Sequence, residues 1–452
     1  MMPVAFIDDD ERLWGKRING IKVFGGREVL KKTVLEQQVD MIVLSVGTAK
    51  QSRIRELADL CMACGTPVKI IPTIIDMHRY LRLSVKDVKS LSAEYEVLQH
   101  HETETRQDWL DEFIRDKVVL VTGGSGSIGS EICRQALALG CRTLIAFDIN
   151  ENGLFYLNRE LSPKYGPKFC YELGTIRDTN RVDSVLKSYR PDIVFHAAAH
   201  KHVAISEKNP FEAVKNNALG SYNVFRQCVA NNVGKVILIS SDKAVKSSNI
   251  MGATKRVAEL ALLSFHRKSE TVMAAVRFGN VFGSTGSVVP IFLEQIAAGG
   301  PVTVTHRDMT RYFMTISDAV KLVLHAGALA KGGEIFFLDM GDPIRIYDLA
   351  CDLIRFSGYE PGEDIEIKEI GIIPGEKLHE ELSYESDNVE LTEHKGIYVC
   401  TPPEIDNYEI ERLLEKLNKA CRNKDRRALA ETLFSVTTDV YQQNLVSTEV
   451  II

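Results

Sequence analysis

Val118-Val119-Leu120-Val121-Thr122 runs without a break into Gly123-Gly124-Ser125-Gly126-Ser127-Ile128-Gly129, and this stretch decides the fold. Its apolar first half lacks the alternation of a half-exposed strand, which predicts a strand buried on both faces. After the glycines, Ile132, Ala136 and Leu139 fall on one side of a predicted helix. Glycines at a strand-to-helix turn let the backbone approach a pyrophosphate, and the unpaired amides of the helix amino terminus meet its charge. Asp148 follows the next predicted strand, Thr143–Phe147. It stands about 20 residues on, where an acidic side chain accepts from ribose hydroxyls and repels a 2′-phosphate. A dinucleotide is therefore expected at Gly123–Gly129, NAD in preference to NADP.

Further buried strands are predicted at Ile193–Ala197, Lys235–Ser240 and Met273–Phe278, separated by helical patterns. Repeated strand–helix units predict an α/β fold with a doubly wound parallel sheet. Its dinucleotide-binding core is expected over 116–280, and a substrate-binding part with Gly-, Ser-, Thr- and Pro-rich loops over 281–402. Residues 1–83 read as a separate small α/β domain, with strands at Val4–Ile7, Met41–Val46 and Val68–Pro72. Residues 84–115 suit a polar linker plus an exposed helix, and 403–452 a helical segment and tail. In that tail Ile410, Leu413, Leu414 and Leu417 line one face of an amphipathic helix over 407–443. The acidic run Asp8-Asp9-Asp10 suggests a phospho-receiver site, but the later strand ends at Ser45 without an acceptor carboxylate, so a solvated loop is expected.

The chain has 452 residues, 26% of them charged, and a net charge of -6. That balance excludes a broad basic field for nucleic acid or anionic membranes, so any ligand phosphate must be held locally. Of nine cysteines, only Cys61 and Cys64 have metal or redox spacing. No second pair or histidine cluster completes a zinc site, and Ile54, Leu57 and Leu60 place the pair in a helical pattern. His100 and His101, in a charged run with Glu102 and Glu104, read as solvated. No metal is expected. Reduced thiols indicate the cytoplasm, and no run approaches the roughly 18 apolar residues of a membrane span.

Strands of such a sheet deliver reacting groups at their carboxyl ends. Ser241-Asp242-Lys243 closes the strand Lys235–Ser240, eight residues before Met251-Gly252-Ala253-Thr254-Lys255. A short-chain oxidoreductase carries tyrosine where Met251 stands. A thioether cannot shuttle protons, so acid and base are expected from Asp242 and Lys243, the nearest titratable groups.

Other motifs follow in order. They are His196-Ala197-Ala198-Ala199-His200-Lys201-His202-Val203, Asn209-Pro210 with Asn217, Arg277-Phe278-Gly279-Asn280-Val281-Phe282-Gly283-Ser284, Thr310-Arg311-Tyr312-Phe313 and Pro374-Gly375-Glu376-Lys377. From Lys117 to Cys400 the chain resembles the nucleotide-sugar 4,6-dehydratases of capsule and polysaccharide biosynthesis, which are extended short-chain dehydrogenase/reductases with a Rossmann core. The resemblance implies oxidation of a UDP-sugar, UDP-N-acetylglucosamine or a close relative, at carbon 4 by hydride transfer to the dinucleotide. Water is then lost across carbons 5 and 6, and the hydride returns to carbon 6. It implies Lys243 as base, Asp242 as acid, Ser241 on the carbon-4 hydroxyl, Met251 in the tyrosine position and Lys255 on the nicotinamide ribose. To act as a base, Lys243 must fall from about 10.4 through burial or the nearby Lys255.

The implied cofactor contacts are Thr122, Gly123, Ser125, Gly126, Ser127, Ile128, Gly129, Asp148, Thr175, Ile176, Ala197, Ala198, Ala199, Asn217 and Lys255. Substrate contacts are implied for Lys201, Asn280, Ser284, Arg311 and Lys377, and a homo-oligomer, dimer or higher, is expected. Thr175 stands where the family usually has an aspartate near the adenine, and Thr285 and Ile373 where arginines are usual. The amino-terminal part resembles the accessory domain of the long members without its glycine-rich start and preceding membrane helices, which suggests a soluble variant or a truncated form. Two other functions compete. Against an epimerase or reductase of this fold stands Met251; against a silent dinucleotide-binding scaffold stands the retention of Asp242 and Lys243.

Overall fold

The computed structural model describes residues 4–18, 20–45, 57, 60–66, 68–71, 106–266, 269–284, 286–357, 359–384, 387–402 and 407–437. The chain divides into two compact units, one of residues 101–285, 308–344 and 371–452, the other of 1–100, 286–307 and 345–370.

The first unit is built on a nine-stranded sheet. Its strands are β1 (Val118–Thr122), β2 (Thr143–Asp148), β3 (Phe169–Leu173), β4 (Ile193–His196), β5 (Lys235–Ile239), β6 (Val272–Arg277), β7 (Ile335–Leu338), β8 (Glu390–Leu391) and β9 (Ile397–Cys400). They lie in the order β8-β9-β7-β6-β5-β4-β1-β2-β3, parallel from β3 to β7 and antiparallel at β9 and β8. The chain steps outward from β1 in both directions, which leaves a crevice beyond the carboxyl ends of β1 and β4.

Apolar residues on both faces of each central strand explain why the sheet is covered twice. Val118 and Leu120 share one core with Val236 and Leu238, while Val119 and Val121 share the other with Ile237 and Ile239. The second core takes Ile132 and Ala136 of α1 (Ser127–Ala138), Leu154 and Leu157 of α2 (Glu151–Tyr165), and Val320 and Val323 of a helix at Ile316–Leu329. Helices on the other face are α3 (Thr179–Tyr189), α4 (Ser221–Ala230) and α5 (Ile250–His266). Each fully buried Val or Leu contributes roughly 1.5–3 kcal/mol over an exposed one.

Several expectations are corrected. The strand expected at Val4–Ile7 is a single bridge, Phe6 to Val23. β3 was not anticipated; it is an edge strand in which only Phe169 is fully buried, Tyr171 and Leu173 are exposed, and Glu172 interrupts the apolar run that its neighbours have. The helix expected to be exposed before β1 spans Gln107–Ile114 and buries Leu110 and Ile114. The single helix over 407–443 is two: Lys424 turns the chain at φ +54°, and Asp425 accepts from the Ala428 amide to start a new helix, Arg426–Phe434, after Asn407–Asn423. Ile410, Leu413, Leu414 and Leu417 do share one buried face, packed into the α5 side of the core. His100, His101, Glu102, Glu104, Thr285 and the tail beyond 437 lie outside the described residues.

In the second unit Ile42–Ser45 pairs in parallel with Val68–Ile71, and Val302–Val304 with Ile367–Glu369. Cys61 packs against Val34 and Ile42 as a structural residue. Asp9 and Asp10 pair with Arg27 and Arg12 on an exposed surface. Among the described residues no helix is long and apolar enough to cross a membrane, and no His, Cys, Asp and Glu cluster is of metal-binding kind.

One buried ion pair joins α5 to the sheet. Arg277 of β6 donates to both oxygens of Glu259 at 2.7 Å, and Ser240 (2.6 Å) and Arg256 (3.1 Å) complete the carboxylate's shell. Burial would raise the Glu259 carboxyl, but Arg277 above all holds it down at about 2. Glu259→Gln is expected to cost about 3–5 kcal/mol in urea unfolding at neutral pH, because it leaves the Arg277 charge buried without its counter-ion. The carboxylate's contribution is present above the unfolded glutamate value near 4.3 and lost as pH falls towards about 2, so wild type and variant should converge in acid.

Candidate active site

The glycine loop is set by close approaches. Gly123 has φ +68°, and a Cβ there would meet the Ala198 amide at 2.6 Å. At Gly129 a Cβ would lie 2.0 Å from the Gly123 carbonyl, so α1 can start against the loop only with glycine in place. Gly126 precedes α1 and offers no side-chain cap, which leaves the helix amino terminus to an anion. Asp148, ending β2, accepts from the Ser125 amide at 2.9 Å and its hydroxyl at 2.8 Å, tying the acidic residue to the loop.

A second layer pins the loop after β4. His196 is fully buried between the Thr122 hydroxyl (2.6 Å) and that of Ser221 (2.8 Å); burial, with Lys255 nearby, pushes its pKa down to about 3, so it is neutral. Asn217, in a π-helical turn at Val214–Gly220, bonds the His200 amide and carbonyl and the Thr254 hydroxyl. Its amide is spent on bracing Ala197–Lys201 against α5. Thr175 and Ile176 follow β3, with Ile176 buried and its carbonyl held by Asn223.

Beyond β5 the chain makes a tight turn. Ser241 donates to Asp242 Oδ1 at 2.7 Å, and Lys243 Nζ reaches the same oxygen at 3.0 Å. Asn280 Oδ1 lies 3.3 Å and Glu380 Oε1 3.5 Å from that nitrogen. Asp242 Oδ2 is buried without a protein partner. α5 packs directly behind: a Cβ on Gly252 would sit 2.0 Å from the Lys243 carbonyl, which explains glycine after Met251. Met251 is buried, and Lys255 donates to the Ile239 carbonyl at 2.6 Å. Burial pushes Lys255 down to about 8, against the pull of Glu259.

Lys243 overturns an expectation. Burial alone would lower it, but the charges of Asp242 and then Glu380 outweigh that penalty and hold the ammonium above the usual lysine value. Lys255 takes its depression on itself and does not pass it on.

The remaining predicted residues divide. Asn280 and Arg311 join the cluster, Arg311 Nε lying 3.7 Å from Glu380 Oε1 and its Nη1 donating to the Thr310 and Leu378 carbonyls. Lys201 reaches Ser284 at 3.3 Å. Lys377 is taken by the Val245 carbonyl at 2.9 Å, a contact that fixes the loop after Lys243. Sequence reasoning missed Glu380. The signal was within reach, three residues after Lys377 in a motif already singled out, but nothing in sequence shows a glutamate there to be buried.

Known proteins resemble this chain in sequence and in fold. The model of a family described as "Polysaccharide biosynthesis protein" matches residues 119–402. The chain is 44% identical to the "Probable polysaccharide biosynthesis protein EpsC" of Bacillus subtilis over 84% of its own length and 64% of that protein, so it spans less than two thirds of that relative. It is 42% identical to the "Capsular polysaccharide biosynthesis protein CapD" of Staphylococcus aureus, covering 92% of this chain and 70% of the relative. Among solved structures, Pen from Bacillus thuringiensis aligns with a TM-score of 0.60 at 36% identity, over 68% of this chain and 98% of Pen. DesIV of Streptomyces venezuelae, a dTDP-glucose 4,6-dehydratase solved with NAD, shares the fold at a TM-score of 0.54 and 20% identity, over 69% of this chain and 99% of DesIV. The extended short-chain dehydrogenase/reductase fold is thereby established.

Gly129→Ala tests the cradle: the methyl group must push the Gly123 carbonyl away. Fluorescence titration with NAD is expected to show at least about a tenfold loss of affinity, about 1.4 kcal/mol, with the circular dichroism of the fold retained.

Proposed function

The chain belongs to the polysaccharide biosynthesis protein family, and from that premise we propose that it is a nucleotide-sugar 4,6-dehydratase acting on UDP-N-acetylglucosamine or a close relative. The observation that carries this is the Asp242–Lys243 couple, 3.0 Å apart, at the carboxyl end of β5, with Met251 where an epimerase or reductase needs its tyrosine. A cytoplasmic location and a homo-oligomer belong to the same proposal.

The residues present fit NAD. Gly123, Ser125, Gly126, Ser127, Ile128 and Gly129 would hold the pyrophosphate at α1, a place a Cβ would fill, and Asp148 the adenosine ribose. Lys255 and the Ala197–Ala199 turn would flank the nicotinamide side. When bound, the dinucleotide supplies the reversible hydride acceptor that lets carbon 4 be oxidised and carbon 6 reduced in one turnover.

The chain's own residues move the protons. Ser241 bonds the carbon-4 hydroxyl and, through its 2.7 Å contact, passes that proton to Asp242. Asp242 then gives it to the departing carbon-6 hydroxyl, which leaves as water. Lys243, as the neutral amine, takes the carbon-5 proton and, its ammonium carrying hydrons exchanged with solvent, gives one back to carbon 5 as carbon 6 is reduced. The couple ends as it began, and one water is lost. Asn280 and Arg311 would meet the diphosphate, where a guanidinium matches phosphate geometry.

Incubation with UDP-N-acetylglucosamine in deuterated water is expected to yield a 4-keto-6-deoxy sugar with deuterium at carbon 5 by NMR. Recovery of untouched or merely epimerised sugar across a panel of nucleotide sugars would sink the proposal. Asp242→Asn and Lys243→Ala should each lower turnover by about 10²–10⁴-fold while NAD still binds.

A further inference from the structure

We propose that Glu380 is a positioning residue of this site: its buried carboxylate, carried in after Pro374, ties the Lys243 ammonium to the Arg311 guanidinium and fixes the proton-accepting nitrogen against Asp242. Its catalytic consequence rests on the dehydratase proposal; the contact itself does not.

The placement is built. Ser248 and the Asn249 side chain both donate to the Gly375 carbonyl at 2.9 Å, and Lys377 and Tyr384 bond the carbonyls of Val245 and Ala244. The segment carrying Glu380 is therefore stitched to the residues that directly follow Lys243. The Glu380 side chain is 4% exposed, 3.5 Å from Lys243 and 3.7 Å from Arg311. Its second oxygen has no hydrogen-bond partner. A buried carboxylate is tolerated only against positive charge, and two buried cations only with a negative one between them. Of the two carboxylates beside Lys243, Glu380 is the one that Lys243 and Arg311 share.

A chemical consequence follows. Lys243 removes a carbon-5 proton only as the neutral amine, so turnover must rise with pH as Lys243 loses its proton. The charged groups facing it are Asp242 on its own turn, Glu380 from the 371–384 segment and Arg311 from the short strand Thr310–Arg311, while Lys377 lies opposite Glu380 and Asp242. Asp242 and Glu380 favour the ammonium, and Arg311 opposes them. Removing the Glu380 charge must let Lys243 deprotonate at lower pH.

The test is competitive labelling of Lys243 with acetic anhydride across neutral to alkaline pH, read by peptide mass spectrometry on the full chain, alongside the pH profile of turnover with UDP-N-acetylglucosamine. For Glu380→Gln the labelling midpoint is expected to fall by about one pH unit, and the rising limb of turnover to move with it. Glu380→Asp, with its charge drawn back by one methylene, should fall between. An unchanged midpoint in both variants, with the fold intact by circular dichroism, overturns the proposal; if the Gln variant does not fold, the Asp variant decides alone. Labelling needs no substrate. A shifted midpoint without turnover on any nucleotide sugar upholds the Glu380 link and sinks the dehydratase proposal, whereas turnover with an unshifted midpoint does the reverse.

Discussion

Glu259 and Arg277 meet inside the protein through two hydrogen bonds of 2.7 Å, and the turn after β5 and the helix behind it take their places from that contact. Glu259 belongs to the helix that bears Met251 and Lys255, Arg277 to the strand beside β5. Ser240, which donates to the same carboxylate, is the residue before Ser241. A bidentate guanidinium–carboxylate pair tolerates little error in distance or angle, so helix, strand and turn are held in one register. Arg277 also donates to the Leu382 carbonyl at 3.3 Å, which brings the segment carrying Glu380 under the same control.

Around this anchor the protein separates its charges by task. His196 is kept neutral so that it can hydrogen-bond two hydroxyls without a buried cation beside the cofactor cradle. Lys255 is depressed by burial, its nitrogen resting on a backbone carbonyl. Lys243, twelve residues before it in sequence, is pulled the other way by two carboxylates. Two lysines on adjoining elements are thus shifted in opposite directions, one lowered by burial and the other raised by an acidic pair. Such divergence between neighbouring titratable groups is how acid and base roles are assigned in a common site.

Much of the fold was legible. β1 was read from its apolar run to its observed ends, and the glycine loop and Asp148 were placed by spacing alone, because the strand period, the helix period and the glycine requirement are local. β3 was not, since an edge strand shows water an alternating face that resembles a loop. The break at Lys424 escaped because the apolar spacing resumes after it, and a single left-handed residue leaves no periodic trace. The turn Ser241-Asp242-Lys243 was singled out from its position after a strand, and the family resemblance agrees with the match over residues 119–402.

What the sequence determined by itself is the buried central strands with the helices that follow them, the glycine loop and the absence of tyrosine at Met251. These depend on residue type and short spacing. Only the tertiary structure decided the charge on Lys243. Its neighbours Glu380 and Arg311 come from distant parts of the chain, and electrostatic interaction depends on distance and burial in space, which sequence separation does not record.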